Sequence, residues 1–285
     1  MMSRIKEILS LCIYEFRIQF TSKRVWLGYL VGIVIILKQS VEYLAYADST
    51  GEAVNVLDAF IIAGNNYNTV MFLVLGWLLV ISEAPFVDNN SAYVIYRTQR
   101  KNWNKAMVLY VMLQAVIYYG ILAVSTILFS CRNGFFANIW SKPLTKLAGN
   151  GINVQQYNVS FPYSSFMQET TVFSGFLQTW LLIFIYGLIM GLLLYTFSLF
   201  SNQIAGVIVV FLFHFLGYEI MKEGFMMIIK YSLLARSILV LQVGSDTGTN
   251  VFETYRIYGI LILLILGLSG RLVKYVDFRD ISKGE

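Results

Sequence analysis

The stretch Ser82–Lys105, SEAPFVDNNSAYVIYRTQRKNWNK, is a polar and basic insert between two long apolar runs. Arg97, Arg100, Lys101 and Lys105 fall within nine positions of it, among Tyr93, Tyr96 and Trp103. Four cations so close together cannot lie in hydrocarbon, where each costs several kcal/mol, so the insert must stand in water beside a membrane.

Composition supports the membrane. Apolar residues make up 58% of the 285-residue chain and charged residues 13%, and mean hydropathy is +0.67. A soluble domain carries about twice that share of charge, and its interior would be too small for so many apolar side chains. The excess of Tyr and Trp is expected at the headgroup level. The net charge of +5 is read as a topology signal and not as a nucleic-acid surface, because the basic residues cluster at the two ends and in the insert.

The expected architecture is an all-α integral membrane protein, one transmembrane domain over residues 1–285 with six spanning helices. Residues 1–24 should form an amphipathic helix lying in the interface. Ile5, Ile8, Leu9, Cys12, Phe16 and Phe20 fall within an arc of about 120°, and packing of this helix on the protein itself is the alternative. The first span is expected from about Val25 to Tyr46. Within it Lys38 and Glu42 lie one turn apart, placed to neutralise each other, either as a polar patch facing a substrate path or inter-subunit seam or by snorkelling to the outer headgroups. The second span runs from Asp58 or Tyr67 to Ser82 and the third from about Ala106 to Ser130. A polar outer loop follows at 131–171.

The fourth span is expected over Val172–Phe200 and the fifth over about Ile204–Met221. The pairs Gly187/Gly191 and Gly28/Gly32 have the small-residue spacing that brings helices close, within one subunit or at a dimer seam. Phe225–Val243 is apolar but carries Lys230 and Arg236. Residues 222–256 are therefore expected to dip into the outer leaflet as short helices, which protein or a water-filled cavity must cover. The last span is about Tyr258–Leu272, with a start near Tyr255 as the alternative. This arrangement puts five basic residues of the N-terminus, four of the insert and four of the tail on the inner side, so both termini are expected inside.

Catalytic and metal motifs are scarce. The chain has one histidine, His214, which rules out paired-histidine zinc sites. It has no phosphate-binding GxxxxGK[ST] loop and no Cys/His spacing that suggests zinc. Cys12 and Cys131 are expected on opposite sides of the membrane and so cannot pair within one chain. His214 and Tyr218 share one face of the fifth span at i, i+4, and Glu219 lies on another. Lys38, Glu42, His214, Tyr218 and Glu219 are the candidate polar groups of a translocation path; the alternative for His214 is packing glue between helices.

The layout resembles the type-2 ABC exporter permease family. The features that carry the likeness are the amphipathic helix before the first span, six spans with both ends inside, dipping outer helices before the last span, and a basic insert after the second. In that family the insert opens on a Ser-Glu-like pair, here Ser82-Glu83, and continues into a coupling helix, here Pro85 to Tyr96. Spaced basic residues follow, here Arg97, Arg100, Lys101 and Lys105. Where the family often has Gly-Thr this chain reads Asn90-Ser91. The likeness spans the whole chain in layout and about two dozen residues in motif.

The resemblance implies a permease subunit of an exporter in the bacterial cytoplasmic membrane. It would work as two permease copies with two copies of a separate ATPase subunit that holds ATP and Mg, with no cofactor on this chain. Residues 84–105 would be the coupling segment. Val87, Asp88, Asn89, Asn90, Tyr93, Arg97, Arg100 and Lys101 are the expected ATPase contacts, against the alternative of a merely solvated basic surface. The expected cargo is an amphipathic or antimicrobial peptide, with lipid or cell-wall glycan as the other possibility. A peptide-immunity intramembrane protease is disfavoured, since the chain lacks a Glu-Glu-x-x-x-Arg motif and further histidines. An inverted-repeat secondary transporter finds no internal repeat here.

Overall fold

The structure, a computed structural model, describes residues 2–85, 98–149, 159, 164–224, 226–243 and 249–275. It is an all-α membrane protein. Five helices are long and apolar enough to cross a bilayer, or six if one bent pair counts as a span. They are α2 (Lys23–Thr50), α5 (Arg100–Ser130), α8 (Val172–Phe200), α9 (Gln203–Lys222) and α12 (Val251–Leu272). The bent pair is α3 (Asp58–Gly64) and α4 (Tyr67–Val80), which meet at 85°.

That bend resolves the start of the second apolar run. The chain breaks at Asn65-Asn66, where the Asn66 side chain caps α4 by accepting from the backbone N–H groups of Asn68 and Thr69. An asparagine that satisfies orphan donors starts a new helix and does not continue the old one. The 14 residues of α4 cover about 21 Å, short of a hydrocarbon core of about 30 Å. The run is therefore a short steep helix with α3 folded across its far end.

Two glycine pairs bring the core helices together inside one chain. A Cβ on Gly28 of α2 would come within 2.6 Å of the Gly76 carbonyl oxygen of α4, and one on Gly32 would strike the Tyr118 hydroxyl of α5. A Cβ on Gly187 of α8 would strike Tyr119, and one on Gly191 would come within 3.0 Å of the Trp77 ring. Small residues let the backbones approach this closely, which supplies most of the packing energy where lipid is as apolar as the protein. The space so opened is filled by aromatic rings.

Trp77, Trp103, Tyr43, Tyr110, Tyr118, Tyr119, Tyr186, Tyr195 and Tyr258 are all fully buried. The expected headgroup belt is thus the wrong place for much of the aromatic excess. Polar tips inside a membrane protein need partners, and three of these find carbonyl oxygens on other helices. Trp77 Nε1 donates to Gly187 (2.7 Å), Tyr118 to Leu73 (2.8 Å) and Tyr258 to Leu233 (2.7 Å). α8 lies at the centre, with 72% of its most apolar stretch buried, whereas α9 and α12 have 17% each and face outward.

α1 (Met2–Gln19) lies along α5, with Phe16 edge-on to Tyr110 at 4.8 Å. Its face toward the protein comprises Ile8, Leu11, Cys12, Glu15 and Gln19, while Ile5, Leu9 and Ile13 are exposed. The apolar arc expected from spacing is thus divided between protein and surroundings, and Leu11, off that arc, is buried. The packing alternative accounts for one flank and the interfacial reading suits the other.

The polar region 131–171 contains a 3-10 turn at Cys131–Asn133, the two-residue strand β2 (Gly134–Phe135) and the short helices α6 (Lys142–Gly149) and α7 (Ser164–Glu169). β2 pairs in parallel with β1 (Val54–Asn55). The apolar stretch before the last span is broken into α10 (Met226–Ile229), α11 (Leu233–Arg236) and a 3-10 turn at Leu239–Leu241, none long enough to span. Arg236 holds it down: the guanidinium reaches Glu253 at 3.2 Å and Thr254 at 3.3 Å, both on α12, and the Lys230 carbonyl at 2.8 Å. α12 begins at Val251, seven residues before the expected Tyr258, because the Asn250 side chain caps it through the Phe252 N–H. Arg256 therefore lies within α12.

Candidate functional site

The insert is held at both ends by side chains from four different helices. On its first side stands Glu83, just past α4. The Ser22 hydroxyl, at the N-cap position of α2, donates to Glu83 Oε1 at 3.1 Å. Arg24 approaches the same oxygen at 3.9 Å. Gln203, the first residue of α9, donates its amide to the Glu83 carbonyl oxygen at 2.8 Å. One residue thereby ties the end of α4 to the starts of α2 and α9.

On the second side the fold extends α5 back to Arg100, so the last basic residues of the insert are helical. Arg100 donates to the Lys274 carbonyl just beyond α12 at 2.8 Å, and the Asn102 amide donates to the Glu7 carboxylate of α1 at 2.8 Å. Deeper in α5, Asn104 accepts from the Tyr195 hydroxyl of α8 at 2.8 Å, with Trp103 buried beside the Tyr195 ring. α2, α4 and α9 thus meet at one clamp, and α1, α5, α8 and α12 at the other.

Of the residues expected to touch an ATPase, Val87, Asp88, Asn89, Asn90, Tyr93 and Arg97 lie outside the described residues. Arg100 is engaged in the second clamp. Lys101 lines a groove between α1, α5 and α12.

The candidate path residues do not converge. Lys38 is exposed on α2 and Glu42 is partly buried, and the expected ion pair between them does not form. One turn of separation permits such a contact without enforcing it, and an exposed ammonium is better placed in water or headgroups. His214 is fully buried between α9, α4 and α8. Its Nε2 lies 3.0 Å from the Met71 carbonyl and its Nδ1 2.7 Å from the Tyr186 hydroxyl. A carbonyl can only accept, so Nε2 carries the proton and Nδ1 accepts from Tyr186. Both nitrogens thus bond to neighbouring helices. Tyr218 instead donates to Asn68 at 3.1 Å, and Glu219 sits 3.8 Å from Lys222.

One polar cluster had no expected role. Asp58 opens α3 and is fully buried. Its Oδ2 accepts from the Ser141 hydroxyl at 2.5 Å and from the Tyr43 hydroxyl at 3.1 Å.

Among the described residues no group of His, Cys, Asp or Glu is arranged to hold a metal ion. Compared with family models, curated proteins and solved structures, the chain matches none.

Proposed function

We propose that this chain is the permease subunit of an ATP-driven ABC exporter, and that residues 84–105 couple it to a separate ATPase subunit carrying ATP and Mg. The observation that carries the reading is the double clamp. A segment fixed at one end to α2, α4 and α9, and at the other to α1, α5, α8 and α12, can pass a displacement to those helices. Rigid-body motion through packed helices is how such closures travel. A merely solvated loop needs no such anchorage.

The working unit is two permease copies with two ATPase subunits in a bacterial cytoplasmic membrane, both permease termini on the ATPase side. The outward faces of α9 and α12 leave room for a second copy. The cargo reading is an amphipathic or antimicrobial peptide. The glycan alternative relies on rings lining a channel, whereas the largest buried rings of this chain are used in helix packing. This subunit performs no bond chemistry of its own.

The test is copurification with a P-loop ATPase, followed by deletion of Asp88 to Tyr93. Loss of permease-stimulated ATP hydrolysis with normal membrane insertion is the expected result. Unchanged hydrolysis would remove the coupling assignment, and cargo movement by the isolated chain would remove the exporter reading altogether.

A further inference from the structure

At the end of the bundle that carries the insert, α1, α5 and α12 enclose an open groove of about 660 Å³. Its walls are apolar, with Leu9 of α1, Met112 of α5 and Leu266 of α12 among them. Its polar residues are Lys101 and Lys105, exposed near the start of α5, the buried Asn104 beside them, and the buried Ser269 of α12. Met112 lies seven residues beyond Lys105, so the apolar part reaches about 10 Å further along the helix. The groove is a charged mouth leading to a greasy slot.

Among the described residues the two lysines pair with no carboxylate. They stand one turn apart on one helix face, where like charges repel by about 0.2–0.5 kcal/mol. They also sit in the first turns of a 31-residue helix with no acidic residue in its opening turn, at the end whose backbone already carries partial positive charge. Among the described residues neither lysine has an ion-pair partner. Glu7 of α1 accepts from Asn102, and the Asn104 Oδ1 accepts from Tyr195, which leaves the Asn104 amide nitrogen as a further donor.

We infer that this groove is a binding site for one anionic phospholipid, its phosphate between Lys101 and Lys105 and one acyl chain along Met112 and Leu266. A phosphate diester offers anionic oxygens to both ammonium groups at once. The apolar walls select a lipid over a free phosphate, which would leave them uncovered. The inference does not depend on the exporter reading, only on the helices crossing a bilayer.

The test uses the purified full chain, with any subunit that copurifies, titrated in detergent and followed by native mass spectrometry. The probes are dioleoyl phosphatidylglycerol, dioleoyl phosphatidylcholine and glycerol phosphate. The expected result is one phosphatidylglycerol per chain, bound at least about tenfold more tightly than phosphatidylcholine and not displaced by glycerol phosphate. Each lysine near an anionic headgroup contributes enough that K101Q/K105Q should weaken phosphatidylglycerol about thirtyfold. K101R/K105R should restore it, which separates lost charge from lost folding. Gly270 lines the groove, and a Cβ there meets nothing within 4 Å, so Gly270→Leu should fill the slot and weaken both lipids. Equal binding of the two lipids, unchanged binding by the glutamine pair, or competition by glycerol phosphate would overturn the assignment. So would the absence of any bound lipid, the outcome expected if a protein segment covers the groove.

Discussion

Gln203 and Glu83, separated by 120 positions in the chain, are joined by a hydrogen bond of 2.8 Å from the glutamine amide to the glutamate carbonyl oxygen. The Glu83 carboxylate meanwhile accepts from Ser22 at 3.1 Å. Backbone and side chain of one residue are thus used in different directions, toward α9 and α2, at the point where the chain leaves α4. A displacement of the insert therefore reaches three helices through a single residue.

Glu83→Ala should lower permease-stimulated ATP hydrolysis far more than it lowers stability. Its hydrogen bond to Ser22 contributes about 1 kcal/mol, and the contact to exposed Arg24 adds little. Gln203→Ala should give the same pattern. Hydrolysis rates of the reconstituted complex, set beside melting temperatures, check this; equal proportional losses in both would make the clamp structural only.

Arg236→Gln should destabilise the fold by about 1–3 kcal/mol. The guanidinium is buried and bonded to α12 and to Lys230, but Glu253 is partly solvated, which keeps the cost below that of a fully buried pair. Limited proteolysis between α10 and α12 should speed up in the variant. An unaltered cleavage rate would show that the segment is held by other contacts.

His214→Phe should cost about 1 kcal/mol, since hydrogen bonds between membrane helices contribute on the order of 0.6 kcal/mol each. Glu219→Gln, which touches only the surface Lys222, should shift stability by less than about 0.5 kcal/mol. Denaturation in detergent measures both. A larger loss of export than of stability in the phenylalanine variant would return His214 to the translocation path.

The two free cysteines report on topology and burial together. Cys131 is exposed and Cys12 is buried, its thiol pKa raised by burial and by Glu15. A membrane-impermeant maleimide should label Cys131 in intact cells and leave Cys12 unmodified until the protein is denatured. In a Cys131→Ser background, Asn150→Cys should be labelled from outside and Asn90→Cys should not. The reverse pattern would invert the orientation.

Residues one or two turns apart were legible where their neighbours alone decide the outcome. The runs that became α2, α8 and α9 declared themselves through length and hydropathy, because a bilayer rewards every apolar side chain wherever it points. The bounds of α8, Val172–Phe200, agree with those read from the chain alone. The basic insert was equally plain, since four cations exclude it from hydrocarbon whatever the fold.

Pairings across the bundle had no such local mark. Glu83 meets Gln203, Asp58 meets Ser141, Arg236 meets Glu253 and Tyr118 meets Leu73 only after the helices pack. Hydropathy cannot say which tyrosine hydroxyl will find a carbonyl on another helix, and one turn of separation did not bind Lys38 to Glu42. Solvent preference, a property of each residue in its own segment, determined which segments enter the membrane. Close approach at Gly28, Gly76, Gly187 and Gly191 decided which polar atoms come within bonding distance once they are there.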